Sequence, residues 1–214
     1  MYIPMKDCIA ASGGKPFEGV VHIGAHLGEE AEDYQNHGVK RVIWIEANPD
    51  LMAPLKQATG KFKFDNQGYI NTCLSETDGE IIEFNISNNG QSSSILELGT
   101  HATMYPHIKY TKKIKTRARR FDELVKEKAV FPYEDYDFIN IDVQGAELMV
   151  FKGFGDLLGK ENIRAIYTEI NLEHVYKGCC LLEELDEYLG RYKFKRIMAR
   201  APERTWGDSL YYRG

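Results

Sequence analysis

The sequence lacks any hydrophobic run that could cross a membrane as a helix. Such a span needs about 20 consecutive apolar residues, and no segment of the 214-residue chain approaches that length. The first residues, from Met1 to Asp7, also lack the charged and apolar layout of a signal peptide. These absences favour a soluble cytoplasmic protein with no membrane span.

Cysteine is scarce as well. The four cysteines, Cys8, Cys73, Cys179 and Cys180, form neither a C-x-x-C pair nor a zinc-binding spacing. We therefore expect reduced thiols in an intracellular protein rather than a disulfide framework. Hydrophobic residues make up 43% of the chain and aromatic residues 12%. That composition is ample for one packed core, so we expect a single domain over 1–214.

The chain has no overall excess of positive charge. Its net charge is −5 at pH 7, which argues against general affinity for nucleic acid. A local basic run over 109–120 could attract an anionic acceptor, such as a phosphorylated sugar or RNA. The same charges also suit an exposed edge strand, where they would prevent pairing with other chains. We favour the edge strand, and nucleic acid is not the expected partner.

Two common phosphate-binding motifs are missing, G-x-G-x-x-G and G-x-x-x-x-G-K-[ST]. Their glycines and lysine hold a pyrophosphate or a triphosphate. In their place the apolar segment 20–23 leads into Gly24 and Gly28, a G-x-x-x-G turn, and the apolar segment 42–45 ends at Glu46. An acid at about this distance can reach a ribose. A cofactor with a ribose but without phosphates, S-adenosylmethionine, fits this pattern best.

Alternating strands and helices predict a mainly parallel sheet covered on both faces. We expect strands over 19–23, 41–45, 69–74, 80–86, 112–118 (an edge strand), 136–142 (a central strand) and 163–170, with a closing antiparallel pair over 194–200 and 209–213. Helices are expected over 29–37, 49–58, 121–128, 146–158 and 181–191. Residues 1–18 would cap the site, and the long polar segment 87–110 would form a substrate lid.

Ligands of parallel sheets bind outside the carboxyl ends of the strands. The predicted strands place five residues at that edge: Gly24, Glu46, Ser75, Asp142 and Glu169.

Four segments resemble the FkbM-type methyltransferases, namely Val21–Gly28, Ile45–Pro49, Asn88–Leu96 and Phe138–Glu147, the last followed by Lys152-Gly153. The resemblance runs from about residue 19 to 211. It implies a Rossmann-like class I methyltransferase fold, an α/β fold with a mainly parallel seven-stranded sheet and an antiparallel C-terminal strand pair. It also implies S-adenosylmethionine as cofactor and a hydroxyl acceptor on a sugar, a glycan or a small metabolite.

The glycine turn, the strand ends and the resemblance together assign cofactor binding to His22, Gly24, Ala25, His26, Gly28, Glu46, Ala47, Asn48, Ser75, Asp142 and Val143. The chain departs from the family at two positions. His22 stands where the family often has an acid, and Gln144 where it often has a glutamate. The first change alters how the ammonium group of the cofactor is balanced, and the second removes one charge near the transfer site.

Candidate catalytic residues are Asp142, Glu169, His101 and His107, because an alcohol acceptor needs a group that takes its proton. Asp142 could instead cap the following helix, Glu169 could form a salt bridge, and each histidine could be an ordinary loop residue. Asp142, Glu169 and a histidine could also hold a magnesium-like ion. No local spacing supports that site, so no metal is assigned.

Two other functions stay open at this point. A non-catalytic binding module could keep the fold without turnover, which the residues at positions 22 and 144 suggest. The basic run leaves open an RNA methyltransferase that uses S-adenosylmethionine.

Overall fold

The computed structural model describes residues 1–130 and 132–214. Its strands are Gly19–Ile23 (β1), Arg41–Glu46 (β2), Asn66–Asn71 (β3), Cys73–Leu74 (β4), Ile81–Ser87 (β5), Tyr110–Arg119 (β6), Phe138–Ile141 (β7), Ala165–Asn171 (β8), Lys195–Arg200 (β9) and Trp206–Tyr212 (β10). Its α-helices are Met5–Ala11 (α1), Ala31–Asn36 (α2), Met52–Thr59 (α3), His101–Met104 (α4), Phe121–Lys126 (α5), Glu147–Phe154 (α6) and Leu182–Gly190 (α7). Short 3-10 helices cover Pro49–Leu51, Tyr133–Asp135 and Gly155–Gly159.

The main sheet has seven strands in the order β3-β2-β1-β7-β8-β10-β9. The first five strands of that order pair in parallel, and β10 runs antiparallel to both β8 and β9. The strand order reverses between β1 and β7, so these two strands form the switch point at which ligands bind. This topology confirms the predicted fold class.

Alternating side chains of the central strands pack helices onto both faces of the sheet. On one face, Val21 and Ile23 of β1 belong to a core that also contains Phe151 and Leu185 from α6 and α7. On the other face, Val20 packs in a core with α1, α2 and α3. Burial on both faces explains why these strands read as continuous apolar runs.

A second sheet has the order β4-β6-β5, and here the structure corrects two predictions. The strand expected over 69–74 is split, because the backbone N–H of Thr72 donates to the carbonyl of Glu46 and Cys73 then pairs with Ala118 of β6. The basic strand expected at an edge is the middle strand of this sheet, although β4 pairs only with its last two residues, Ala118 and Arg119. Alternation shows that a strand is half exposed, but it does not show which strands will flank it.

Two helices are shorter than predicted, because glycines interrupt them. The helix expected from residue 29 begins at Ala31, since Gly28 has φ +70° and the chain still turns there. The helix expected to reach residue 158 ends at Phe154, where Gly155 has φ +53° and a 3-10 turn follows. Within the described residues, no helix has the length and apolarity that a membrane span requires.

Candidate functional site

Two adjoining cavities open at the carboxyl ends of β1, β2 and β7. The larger has a volume of about 580 Å³ and the smaller about 60 Å³. Both are lined by Gly24, His26, Gln91, Asp142 and Gln144. The site therefore lies at the switch point of the sheet, where the strand-end argument places it.

Most of the predicted cofactor residues line one or both cavities, namely His22, Gly24, Ala25, His26, Glu46, Ala47, Asp142 and Val143. All four candidate catalytic residues line the larger cavity. Gly28, Asn48 and Ser75 lie behind the wall and line neither cavity.

These three residues have structural roles that explain their positions. A Cβ on Gly28 would lie 2.3 Å from Cγ2 of Thr59, so this glycine lets α3 pack closely. The side chain of Asn48 accepts a hydrogen bond from the N–H of Asp50 and caps the 3-10 turn. Ser75 continues the second sheet, because its N–H donates to the carbonyl of Arg119. A residue just after a strand can turn away from the sheet edge, which the sequence does not reveal.

Gly24 brings two strand ends together. Its φ of +79° is a left-handed value that favours glycine. A Cβ at this position would lie 1.7 Å from the carbonyl oxygen of Asp142. The missing side chain therefore lets the backbone of the neighbouring strand approach closely.

Glu46 is 7% exposed and points into the smaller cavity. Its carboxylate accepts the backbone N–H groups of His26 at 2.9 Å and of Asn48 at 2.7 Å. Burial raises the pKa of Glu46, and these hydrogen bonds oppose the rise. A carboxylate has about four lone-pair positions, so two remain for a ligand. Apolar residues line the same cavity, including Ile45, Leu51, Leu74 and Ala146.

His22 of β1 is buried beside the carboxylate of Glu30, the residue that precedes α2. Its Nδ1 lies 3.1 Å from the hydroxyl of Tyr34, and its Nε2 lies 3.9 Å from Oε2 of Glu30. Burial lowers the pKa of His22, which favours the neutral ring. Glu30 also lines the larger cavity. The structure thus places an acid from another part of the chain beside His22.

Gln144 joins two carboxylates at the floor of the larger cavity. Its side-chain N–H₂ donates to Asp142 at 2.6 Å and to Glu169 at 2.7 Å, while its Oε1 accepts from the hydroxyl of Tyr176 at 2.5 Å. Gln144 has φ +56°, which turns its side chain back toward the strand ends. In the described chain no lysine or arginine pairs with Glu169, so the salt-bridge alternative is wrong. The helix-cap alternative for Asp142 is also wrong, because no side chain caps α6.

Glu147 is a third acid at this floor, and our sequence reasoning did not assign it a role. It is fully buried and accepts the N–H groups of Val143 at 3.0 Å and Gly145 at 3.1 Å. One carboxylate oxygen from each of Asp142, Glu147 and Glu169 lies within 4.8 Å of the others. A signal was available, because an acid in a helix's first turn after a strand end lies close to that end.

Desolvation dominates the electrostatics of these three acids. The Asp142 side chain is open to the larger cavity, but the protein around that cavity still raises its pKa. Burial raises the pKa of Glu147, and the nearby charge of Asp142 adds to the rise. The pKa of Glu169 is raised well above its usual value by burial and then by both neighbouring carboxylates.

The segment over 87–110 covers both cavities and is tied down at several points. Asn85 and Ser94 exchange backbone hydrogen bonds, and the N–H groups of Gly99 and His101 donate to the carbonyl of Val175. The hydroxyl of Ser94 donates to the carbonyl of Gln144 at 2.8 Å. The segment therefore forms the roof of the site.

The two candidate histidines of the roof differ in environment. His101 is 7% exposed and packs against the rings of Tyr105 and Tyr176. Its Nδ1 has no hydrogen-bond partner among the residues that the structure describes, and burial lowers the pKa of its ring. His107 is exposed and lies at the rim. A buried, neutral imidazole can accept a proton, so His101 is the better placed base.

The basic run over 109–120 is largely neutralised by acids. Four of its members form ion pairs, Lys112 with Asp50, Lys113 with Glu83 and Glu97, Arg119 with Asp78 and Glu127, and Arg120 with Asp122. Charges paired in this way are poorly available to an extended anion, which disfavours an RNA-binding surface here.

The sequence profile of the "Methyltransferase FkbM domain" matches residues 22–196. The chain matches none of the curated proteins with which it was compared. Similar solved structures include M. capricolum TrmK in complex with S-adenosylhomocysteine, at 10% identity and TM-score 0.51. The match covers 92% of this chain and 62% of that one. Magnesium protoporphyrin IX methyltransferase from Synechocystis PCC 6803, with bound SAM, is similar at 10% identity and TM-score 0.50. The match covers 97% of this chain and 74% of that one.

The N-methyltransferase NodS from Bradyrhizobium japonicum WM9 is similar at 9% identity and TM-score 0.50, with 98% of this chain and 93% of that one covered. At such low identity these likenesses show a shared fold and carry no information about the acceptor.

Proposed function

Because the chain belongs to the FkbM methyltransferase family, we propose that it transfers the methyl group of S-adenosylmethionine to a hydroxyl of an uncharged, polyhydroxylated acceptor, such as a glycan or small metabolite. The observation that carries the choice of acceptor is the lining of the larger cavity. Six carboxylic acids line it: Glu29, Glu30, Asp142, Glu169, Glu203 and Asp208. Among the described residues, no lysine or arginine side chain lines either cavity.

This charge distribution selects against anionic acceptors. A phosphate inside a chamber of carboxylates would be repelled, because the local dielectric is low and screening is weak. At the wall, the amino group of Met1 is cationic and lies 3.3 Å from Glu30, whereas burial favours the neutral rings of His22 and His101. Tyr2, Tyr105, Tyr176 and Trp206 add flat apolar faces, and the neighbouring amides can bind hydroxyls. Aromatic faces alternating with acids and amides suit a sugar.

The residues of the smaller cavity fit an adenosine group. Two lone-pair positions of Glu46 are available to ribose hydroxyls, and Ile45, Leu51, Leu74 and Ala146 would flank the base. Glu30, at the larger cavity, would balance the ammonium of the methionine part. When bound, S-adenosylmethionine supplies a methyl group activated by a sulfonium centre.

The chain's own contribution is to orient the acceptor and to take its proton. During transfer a bond forms between the acceptor oxygen and the methyl carbon, and the carbon–sulfur bond breaks with its electron pair left on sulfur. Holding the oxygen in line lowers such a barrier by about 7–11 kcal/mol in favourable cases. We assign His101 as the group that receives the hydroxyl proton, with Asp142 and Glu169 binding the acceptor.

The direct test is methyl transfer from labelled S-adenosylmethionine to a panel of neutral oligosaccharides, phosphorylated sugars and RNA. We expect labelled methyl groups on hydroxyl oxygens of the neutral oligosaccharides and on no other member of the panel. Binding of S-adenosylmethionine without transfer to any member would favour a non-catalytic binding module. Transfer to RNA, weakened by salt, would show that the acidic cavity does not select the acceptor.

His101→Phe should lower kcat about 10²- to 10⁴-fold, the usual contribution of a general base. Phenylalanine keeps the ring contacts with Tyr105 and Tyr176 but cannot accept a proton. Because burial lowers the pKa of His101, the active neutral form of the wild-type enzyme should persist below the usual histidine pKa of about 6.5.

His107→Phe is the matched control, since His107 lies at the exposed rim. It should leave kcat within a few-fold of wild type. Equal losses in the two variants, or a pH–kcat profile unchanged in His101→Phe, would contradict the assignment.

A further inference from the structure

Three carboxylates lie close together at the floor of the larger cavity. They come from three elements, since Asp142 follows β7, Glu147 opens α6 and Glu169 lies in β8. One oxygen of each lies within 4.8 Å of the other two. In the part of the chain that the structure describes, no lysine, arginine or histidine forms a salt bridge with any of them. The side-chain amide of Gln144 contacts two of the acids but brings no positive charge.

Glu147 provides a second, independent observation. Its Oε1 accepts two backbone N–H groups, whereas its Oε2 is buried and has no hydrogen-bond partner within the described residues. The residue as a whole is fully buried. A buried carboxylate oxygen without a partner is costly, so such an atom normally faces a donor or a cation. Here it belongs to a carboxylate whose nearest charged neighbours include Asp142 and Glu169.

We propose that Asp142, Glu147 and Glu169 bind one divalent metal ion with a preference for oxygen ligands. Carboxylates are ligands for Mg²⁺, Mn²⁺ and Ca²⁺ rather than for soft metals. In a calcium site with bonds of about 2.3–2.6 Å, opposite oxygens are about 4.6–5.2 Å apart. The three carboxylate oxygens lie within 4.8 Å of one another, so they are no farther apart than ligands of one such ion can be. The acids can therefore surround one ion with small side-chain adjustments.

The position of the ion gives it a role in the proposed methyl transfer, and this role rests on the proposed function. Asp142 and Glu169 line the larger cavity, while Glu147 lies behind them. An ion held there is open to the cavity on one side, where it would stabilise negative charge on an acceptor hydroxyl oxygen as the proton passes to His101. The acceptor would then be bound by the ion and by the acids and amides of the wall.

The test is Mn²⁺ binding by the full chain, measured by electron paramagnetic resonance and calorimetry without cofactor or acceptor. We expect one site, from which Mg²⁺ or Ca²⁺ displaces Mn²⁺. Glu147→Gln and Glu169→Gln should each weaken Mn²⁺ binding at least tenfold. Glutamine at position 147 keeps an oxygen for the N–H groups of Val143 and Gly145, so the fold should persist.

Glu203→Gln is the control, because it removes one acid that lines the same cavity but does not belong to the group of three. It should leave Mn²⁺ affinity within about twofold. Absence of Mn²⁺ binding by the wild-type chain would overturn the proposal, as would unchanged affinity in folded Glu147→Gln protein. Mn²⁺ binding without methyl transfer to any acceptor would instead count against the proposed function and leave the ion site standing.

Discussion

Glu46→Ala is expected to weaken binding of S-adenosylmethionine by about 3 kcal/mol, or roughly a hundredfold in Kd. Two hydrogen bonds from ribose hydroxyls to a buried charge would be lost, and each such bond contributes about 1.5–3 kcal/mol. The carboxylate is already held in place by the N–H groups of His26 and Asn48. It therefore loses little side-chain entropy when the cofactor binds. Calorimetry with S-adenosylmethionine and S-adenosylhomocysteine measures the effect.

Two controls separate ribose binding from support of the turn. Glu46→Gln keeps one acceptor oxygen for the backbone. Its Kd for S-adenosylmethionine should therefore lie between those of the wild type and Glu46→Ala. Glu32→Ala removes an exposed acid of α2 and should leave Kd unchanged. Melting temperatures without ligand show whether the turn has loosened. An unchanged Kd in a folded Glu46→Ala variant would show that the ribose binds elsewhere.

The sequence predicts the first crossover of the sheet well, because its signals are local. The apolar segments 20–23 and 42–45 form β1 and β2, and Glu46 ends β2 beside the glycine turn. The antiparallel pair at the end of the chain was also predicted, and β9 and β10 form it. In each case short-range periodicity and turn residues decide the structure.

Contacts between distant segments were harder to predict. The basic strand β6 lies in the middle of its sheet because β4 and β5 reach it from two other parts of the chain. Gln144 contacts Glu169 across 25 positions, and Ser94 contacts Gln144 across 50. Sequence spacing gives no access to such contacts. Glu169 also lies far along the chain from Asp142 and Glu147, so their grouping is another contact between distant segments. For that reason no metal site was assigned from the sequence.

Gly24→Ala is expected to destabilise the protein by more than about 3 kcal/mol, or to prevent folding. The new Cβ would lie 1.7 Å from the carbonyl oxygen of Asp142, and φ at this position is +79°. That oxygen belongs to the backbone at the end of β7, so it cannot move without breaking the pairing of β1 with β7. Urea denaturation followed by circular dichroism measures the loss.

Gly38→Ala separates the backbone strain from the clash. Gly38 has nearly the same φ, +84°, but a Cβ there would meet nothing within 4 Å. Only the left-handed conformation is then penalised, at about 1–2 kcal/mol. The difference between the losses in free energy of unfolding of the two variants is the cost of the clash between position 24 and the backbone of Asp142. Equal destabilisation would mean that the strand ends can separate, and the site's geometry would then depend on something other than this contact.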